Sequence, residues 1–393
     1  MNKCISKKYT ISDLKDNVVK CSNVENAKLF IIGNGFDLFF DLPTSTKHFE
    51  NQLKQIRFEY FESAKEAYLY YGVDWSSFEE GLASINLEII SEEIVEGPDY
   101  MSDHEYDRDG VIWTVQDYTA KLLKVRKEAL KNMVQMAEKE IETLSTIFCP
   151  DFFDSTVDEI ISFNYTSTIE SLFNYSKPVF HIHGYYKEND DDLLLGFGNE
   201  SEDFYRFKAK LNSEMSLRKK IEINDIEQNK NLTTEEKEEK IRDVEYYDEE
   251  DGGNDYYIDT QYELLVDFYI KNKKEKQTNK LEDYLKKLKH IDEVVVLGHG
   301  MGDIDREYFE LVEENIMPMK WTISARNEDG IKSVEEWCKT YSFGDKIHVK
   351  TMGEILGVDK KSFDENENIV QYKSRFVCLK SFNDSSYELL KYS

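Results

Sequence analysis

Between residues 28 and 303 the chain five times runs through a short segment that stops on glycine or asparagine. Lys28–Ile32 ends in Gly33-Asn-Gly-Phe-Asp37, and Glu159–Phe163 ends in Asn164-Tyr-Thr166. Val179–Ile182 ends in His183-Gly184, Leu193–Leu195 in Gly196-Phe-Gly-Asn199, and Glu293–Leu297 in Gly298-His-Gly-Met-Gly-Asp303. The best-formed of these runs are apolar throughout rather than alternating, which is the pattern of strands buried on both faces of a parallel sheet. Helical patterns lie between most of them, and Lys320–Ser324 adds a further strand. The expected fold class is α/β, a parallel sheet with crossover helices, carrying large helical insertions. In a doubly wound sheet the five strand ends converge on one edge, where ligands bind.

Residues 1–26 read as a polar lead-in, 27–360 as the α/β domain and 361–393 as a C-terminal extension whose β-like patches close the sheet. One helical insertion is expected over 60–147, with Trp75, Phe78, Leu82 and Ile85 spaced as a core stripe. A second, charged and helical, covers 201–290, and its segment 218–256 reads as a solvated excursion or a partner-binding arm. Glu96–Gly110 is acidic and punctuated by Pro and Gly, a surface loop. The formal charge of −29 makes nucleic-acid binding a poor expectation. Cys4, Cys21, Cys149, Cys338 and Cys378 contain no CxxC pair, which speaks for free thiols in a reducing compartment and against a cysteine zinc site. Met1–Lys20 has no apolar export segment and no run is long and apolar enough for a membrane span, so a cytoplasmic location is expected.

Gly33 and Gly35 permit close backbone approach, and a helix start behind them would offer N–H groups to an anion such as a pyrophosphate. The third glycine of the dehydrogenase fingerprint is missing, which argues against hydride transfer. Asn164 at a strand end carries both donor and acceptor, suited to a ribose hydroxyl or a water; alternatively Asn164 or Thr166 caps the helix that follows. His181 and His183 are expected on one face of a strand, with His183 at its end, where a general base would stand. Two such histidines also suit a metal, although a third ligand is wanting and Asp190–Asp192 read as a turn. Glu79, after Trp75, is either a carboxylate over the site or a partner for a nearby donor.

Taken together, Ile31–Leu38 with Leu42-Pro-Thr44, Trp75–Glu79, Ser162–Thr166, His181–Gly184, Leu195–Asn199 and Leu297–Asp303 with Asp305 and Tyr308 resemble the bacterial abortive-infection AbiH family. That family in turn resembles the sirtuin-like NAD-binding proteins of prokaryotic antiphage defence. The resemblance implies a sirtuin-like Rossmann sheet. It implies nucleotide contacts from Gly33, Asn34, Gly35, Phe36, Asp37, Tyr165, Gly298, His299 and Gly300, with Asn164 orienting the ribose and His183 catalytic. Thr166 stands where many relatives carry Asp, and the zinc-ribbon cysteines of sirtuins are absent.

The activity this implies is hydrolysis of the N-glycosidic bond of NAD to nicotinamide and ADP-ribose, with NAD as substrate, no cofactor and no metal. Uncontrolled turnover would be toxic, so gating by oligomerisation or a phage-derived trigger is expected. Two other readings stay open: a nucleotide-binding sensor acting through a partner, and a metal-dependent nuclease or phosphohydrolase using His181, His183 and nearby Asp residues.

Overall fold

The computed structural model describes residues 27–75, 78–148, 153–173, 175–187, 193–212, 256–357, 362–363, 369–371, 376–383 and 386–389, with scattered positions between 226 and 241. The polar lead-in 1–26, Asp190–Asp192, most of the charged segment 218–256 and Cys4, Cys21 and Cys149 lie outside the described residues, as do the side chains of Glu79 and Cys378.

Along the chain the elements are β1 (Lys28–Ile32), α1 (Asn34–Phe39), α2 (Thr46–Gln55), α3 (Ala64–Tyr70), α4 (Phe78–Ala83), α5 (Leu87–Ile94) and the long α6 (Glu105–Ile141). Then come β2 (Leu144–Phe148), β3 (Glu159–Ser162), α7 (Thr168–Phe173), β4 (Phe180–His181), α8 (202–212), α9 (Tyr256–Lys271) and α10 (Thr278–Leu285). The last part holds β5 (Glu293–Leu297), α11 (Arg306–Ile316), β6 (Lys320–Ala325), α12 (Glu328–Cys338), β7 (Ile347–Thr351), α13 (Met352–Leu356) and the short strands β8 (Ser362–Phe363), β9 (Ile369–Gln371), β10 (Phe376–Asn383) and β11 (Ser386–Leu389). Local chemistry sets several boundaries. Ser63, Asn86 and Asn327 accept backbone N–H groups at the starts of α3, α5 and α12, and Thr351 with Glu354 forms a capping box on α13.

The chain divides into two compact units. The first comprises residues 1–49, 130–194 and 276–393 and contains a six-stranded parallel sheet in the order β4-β3-β1-β5-β6-β7. Both of its faces are covered, and the alternation within each strand divides the side chains between them. Phe30 and Ile32 of β1, Ile160 of β3 and Val295 and Leu297 of β5 pack with Phe36, Ile169, Phe173 and Leu356. Leu29 and Ile31, Ile161, and Val294 and Val296 face the other way, onto Leu281, Leu285, Phe309, Val312 and Cys338. This double burial is the physical reason the strands read as unbroken apolar runs.

Three expectations are corrected. The helical stretch over 60–147 ends before Leu144–Phe148, which is strand β2. The C-terminal strands do not close the main sheet; β10 pairs with β2 and with β11 in a separate three-stranded antiparallel sheet. Leu193–Leu195 is not a strand.

The second unit, residues 50–129 and 195–275, draws on both helical insertions at once. Hydrogen bonds between the two segments hold it: Gln261 with the backbone of Glu96, Arg126 with Asn272, and the Tyr269 hydroxyl with the Ala83 carbonyl at 2.8 Å. Each of these side chains is buried, so the bonds satisfy groups that would otherwise be desolvated without a partner. Among the described residues no helix is long and apolar enough to cross a membrane.

Trp321 of β6 is fully buried, stacks on Phe343 at 4.5 Å and donates its indole N–H to Glu313 at 2.8 Å. Trp321→Ala is expected to lower the urea-unfolding free energy by about 3–5 kcal/mol. Trp113→Ala, at a half-exposed ring, is expected to change it by less than about 0.5 kcal/mol.

Candidate functional site

The sheet order changes direction at β1: the chain adds β3 and β4 on one side and then returns to lay β5, β6 and β7 on the other. Crossovers leaving in opposite directions open a crevice at the carboxyl ends of the two strands flanking the switch, here β1 and β5. The turns that follow these strands are Gly33–Asp37 and Gly298–Asp303, and they are joined backbone to backbone. Gly33 N–H donates to the Leu297 carbonyl at 2.9 Å, and Gly35 N–H to the Gly298 carbonyl at 2.7 Å. A Cβ on Gly33 would lie 2.7 Å from the Gly298 oxygen, one on Gly35 2.8 Å from it, and one on Gly298 2.0 Å from the Phe36 nitrogen. Gly298 also has φ +69°, the left-handed region that favours glycine. Phe36 N–H is taken by the Gly33 carbonyl. The glycines therefore serve the contact between the turns, and the N–H groups of Gly33 and Gly35 are not what an anion would meet, contrary to the sequence expectation.

Phe36 and Asp37 also turn inward. The Phe36 ring is fully buried between Phe40 and Phe173, so it builds core where a nucleotide contact was expected. The buried Asp37 carboxylate accepts the Thr166 and Thr168 hydroxyls, each at 2.7 Å, which fastens α1 to the start of α7. Burial pushes its pKa up to about 6, even though those hydroxyls and the Asn164 amide oppose the shift. The exposed rim of the switch point consists of Asn34, whose amide donates to the Thr44 carbonyl at 3.0 Å, and of Gly300 and Gly302.

Asn164 stands directly beneath this rim. Its amide nitrogen donates to the Gly33 carbonyl at 3.1 Å, which settles which way the side chain is flipped. Its Oδ1 is then left buried and without a hydrogen-bond partner. Such an acceptor costs free energy until a donor meets it. Neither Asn164 nor Thr166 caps the helix after β3: Asn164 Oδ1 accepts no N–H, and the Thr166 hydroxyl is turned to Asp37.

The two histidines of His181-Ile-His183 do not share a face, since β4 ends at His181 and His183 lies in the following turn. His181 donates Nδ1–H to the Asn164 carbonyl at 3.0 Å, lies with Nε2 2.8 Å from Glu170 and stacks on Tyr185. Nδ1 is engaged with Asn164 and Nε2 with Glu170, which removes His181 as a metal ligand. His183 is 3% exposed and packs edge-on against Phe163 at 5.1 Å and Tyr308 at 6.1 Å. Phe163 also contacts His299 at 4.4 Å, so one ring joins the His183 turn to the β5 turn. His299 accepts the Met301 N–H at Nδ1, which leaves the proton on Nε2, 3.3 Å from the Asp305 carboxylate. The Met301 carbonyl is held by Trp337 and Tyr341, both at 2.7 Å, and Gly298 N–H donates to Ser324 Oγ. Tyr165 sends its hydroxyl to the Leu194 carbonyl.

The structure thus brings Gly33–Asp37, Asn164, His183 and Gly298–Asp303 together. Leu195–Asn199 belongs to the second unit, where Gly196 and Phe197 lie on Asn272 and Lys274, and so does Trp75, packed on Tyr68. Among the described residues no group of three or more His, Cys, Asp or Glu could hold a metal ion. Sequence reasoning missed Phe163, Ser324 and Glu170 as parts of the site. Phe163 stood beside Asn164 in a noted motif, but nothing local marks Ser324 or Glu170.

Gly298→Ala is expected to destabilise the protein by more than about 3 kcal/mol, since the clash is with backbone and φ is positive. Gly300→Ala, where a Cβ meets nothing, is expected to be nearly neutral; chemical unfolding of both variants checks this. Because the folded pKa of Asp37 is raised, its protonated form stabilises the fold at acid pH, and that contribution is lost as pH rises from about 4 through about 6. Relative to Asp37→Asn, the wild type is expected to lose on the order of 3 kcal/mol across that window, read from denaturation midpoints at each pH.

No curated protein and no solved structure matches this chain. The model of one protein family, bacteriophage abortive infection AbiH, matches residues 29–325, a span that contains both turns, Asn164, His183 and Ser324. That match covers about three-quarters of the chain and runs from β1 through β6, so the protein belongs to the AbiH family of bacteriophage abortive infection.

Proposed function

We propose that this protein acts in phage defence by hydrolysing NAD at the switch point of a Rossmann-like, sirtuin-like sheet. The observation that carries this reading is the Asn164 side chain: its amide is anchored on Gly33, and its Oδ1 is buried and unpartnered. A hydroxyl of the nicotinamide ribose, or the attacking water, supplies the missing donor. The dinucleotide lies across the rim formed by Asn34 and Gly300, with its ribose turned in toward Asn164.

In the reaction, water adds to C1′ of the nicotinamide ribose as the C1′–N bond breaks. The bonding pair leaves with nicotinamide, which departs neutral because its ring nitrogen was cationic, so no general acid is needed. His183 accepts the proton released by water, and the oxocarbenium-like ribose resembles that of glycoside hydrolysis. The products are nicotinamide, ADP-ribose and a proton. His183 is sealed by Phe163 and Tyr308, which gives control a physical place: water reaches the imidazole only when that packing loosens. A phage-derived trigger or a change of oligomeric state would act there.

The same burial favours a second reading, a sensor that binds the nucleotide without turnover and acts through a partner. A metal-dependent nuclease is less well supported, because His181 is already committed to Asn164 and Glu170.

Incubating purified protein with NAD and following nicotinamide release separates the readings. Asn164→Ala and His183→Ala, each confirmed folded, are expected to lower release at least about 100-fold. NAD binding with no release, with or without phage lysate, supports the sensor; absence of binding to NAD and its analogues sinks both.

A further inference from the structure

The second unit carries a surface that the catalytic reading does not use. Around the loop between α5 and α6, large rings face solvent: Tyr100 is 45% exposed, Tyr106 71%, Trp113 47% and Tyr256 49%, with Met101 at 91%. The rings make two sets of contacts. Tyr106 and Trp113 meet edge-on at 5.2 Å on one face of α6, and Gly110, one turn from each, adds no side chain between them. Tyr100 touches Tyr257 at 6.4 Å, and Tyr257 touches Tyr256 at 5.3 Å. Two features hold the loop in place: the Gln261–Glu96 pair, and the Ser102 hydroxyl donating to Asp107 at 2.6 Å. Exposed aromatic groups of this size mark interaction sites more often than ordinary surface.

The charge around the rings is one-sided. From Ser91 to Gly110 the sequence holds eight carboxylates and a single Arg or Lys, Arg108. Glu92, Glu96, Asp99, Asp103 and Asp107 are all exposed, and among the described residues no Lys or Arg pairs with Asp99, Asp103 or Asp107. A second copy of this chain would bring the same acidic face against itself, and a nucleic acid would bring more negative charge. Flat π-faces set among carboxylates suit guanidinium groups, which stack on rings while bonding to carboxylates. The geometry points to this face as a docking site for an arginine-rich segment of another protein. The rings supply stacking platforms and the carboxylates supply ion pairs and steering.

The test uses the full chain and a short fluorescent peptide alternating Arg and Ser, read by anisotropy at low and moderate salt. Two variants, Tyr106→Ala/Trp113→Ala and Asp99→Asn/Asp103→Asn, change exposed side chains and leave the Ser102–Asp107 bond in place, and circular dichroism checks that each is folded. The wild type is expected to bind the Arg peptide, each variant to lose roughly tenfold or more in affinity, and a Lys–Ser peptide to bind more weakly. Four outcomes overturn the proposal: no binding of the Arg peptide, binding indifferent to loss of the rings, equal binding of a single-stranded DNA oligonucleotide, or a dimer in sedimentation that disappears in Tyr106→Ala/Trp113→Ala. Retained NAD hydrolysis in both variants keeps this result separate from the reading of the switch point.

Discussion

The closeness of two backbones governs the first unit of this protein. Where the turn after β1 meets the turn after β5, Gly33, Gly35 and Gly298 leave no room for a Cβ, and two N–H···O bonds lock the contact. The carbonyl of Gly33, held by that contact, is the acceptor that anchors Asn164, and Asn164 in turn is braced through its own carbonyl by His181 and Glu170. An error of a few tenths of an ångström at the glycines would therefore propagate to the strand-end amide. The N–H groups of Gly33, Gly35, Phe36 and Gly298 are spent within this frame.

Burial decides the chemistry available inside the frame. Asp37 lies one turn from the exposed Asn34, yet desolvation raises its carboxyl toward neutrality and three side chains occupy it, so it acts as a fastener between α1 and α7. His183 is equally enclosed, packed against the rings of Phe163 and Tyr308, and the Tyr308 hydroxyl is itself held by the Gln277 N–H at 2.9 Å. The second unit shows the opposite arrangement, with aromatic rings left in water beside carboxylates.

Some of this was legible in the residues. The apolar runs of β1, β3, β5 and β6 and their glycine endings predicted a parallel sheet with a site along one edge, because strands buried on both faces cannot alternate. Asn164 and His183 stood out because an amide with both donor and acceptor, and an imidazole, follow strands at that edge. Other features were not legible. Asp37 read as a ligand group, although only the positions of Thr166 and Thr168 reveal that its carboxylate points inward. His181 and His183 read as one face, although the strand stops between them. The two insertions read as separate, although Gln261, Arg126 and Tyr269 bind them into one unit.

The sequence by itself determined the apolar strands β1, β3, β5 and β6, the turns that demand glycine, and the family to which the chain belongs, because these depend on local pattern and short-range sterics. Only the tertiary structure decided the strand order that places β1 beside β5, the partners of Asp37 and His181, and the orphaned oxygen of Asn164. Each of these depends on contacts between separate elements, from 11 positions apart for His181 and Glu170 to 131 for Asn164 and Gly33, and on burial, which is a property of the packed whole.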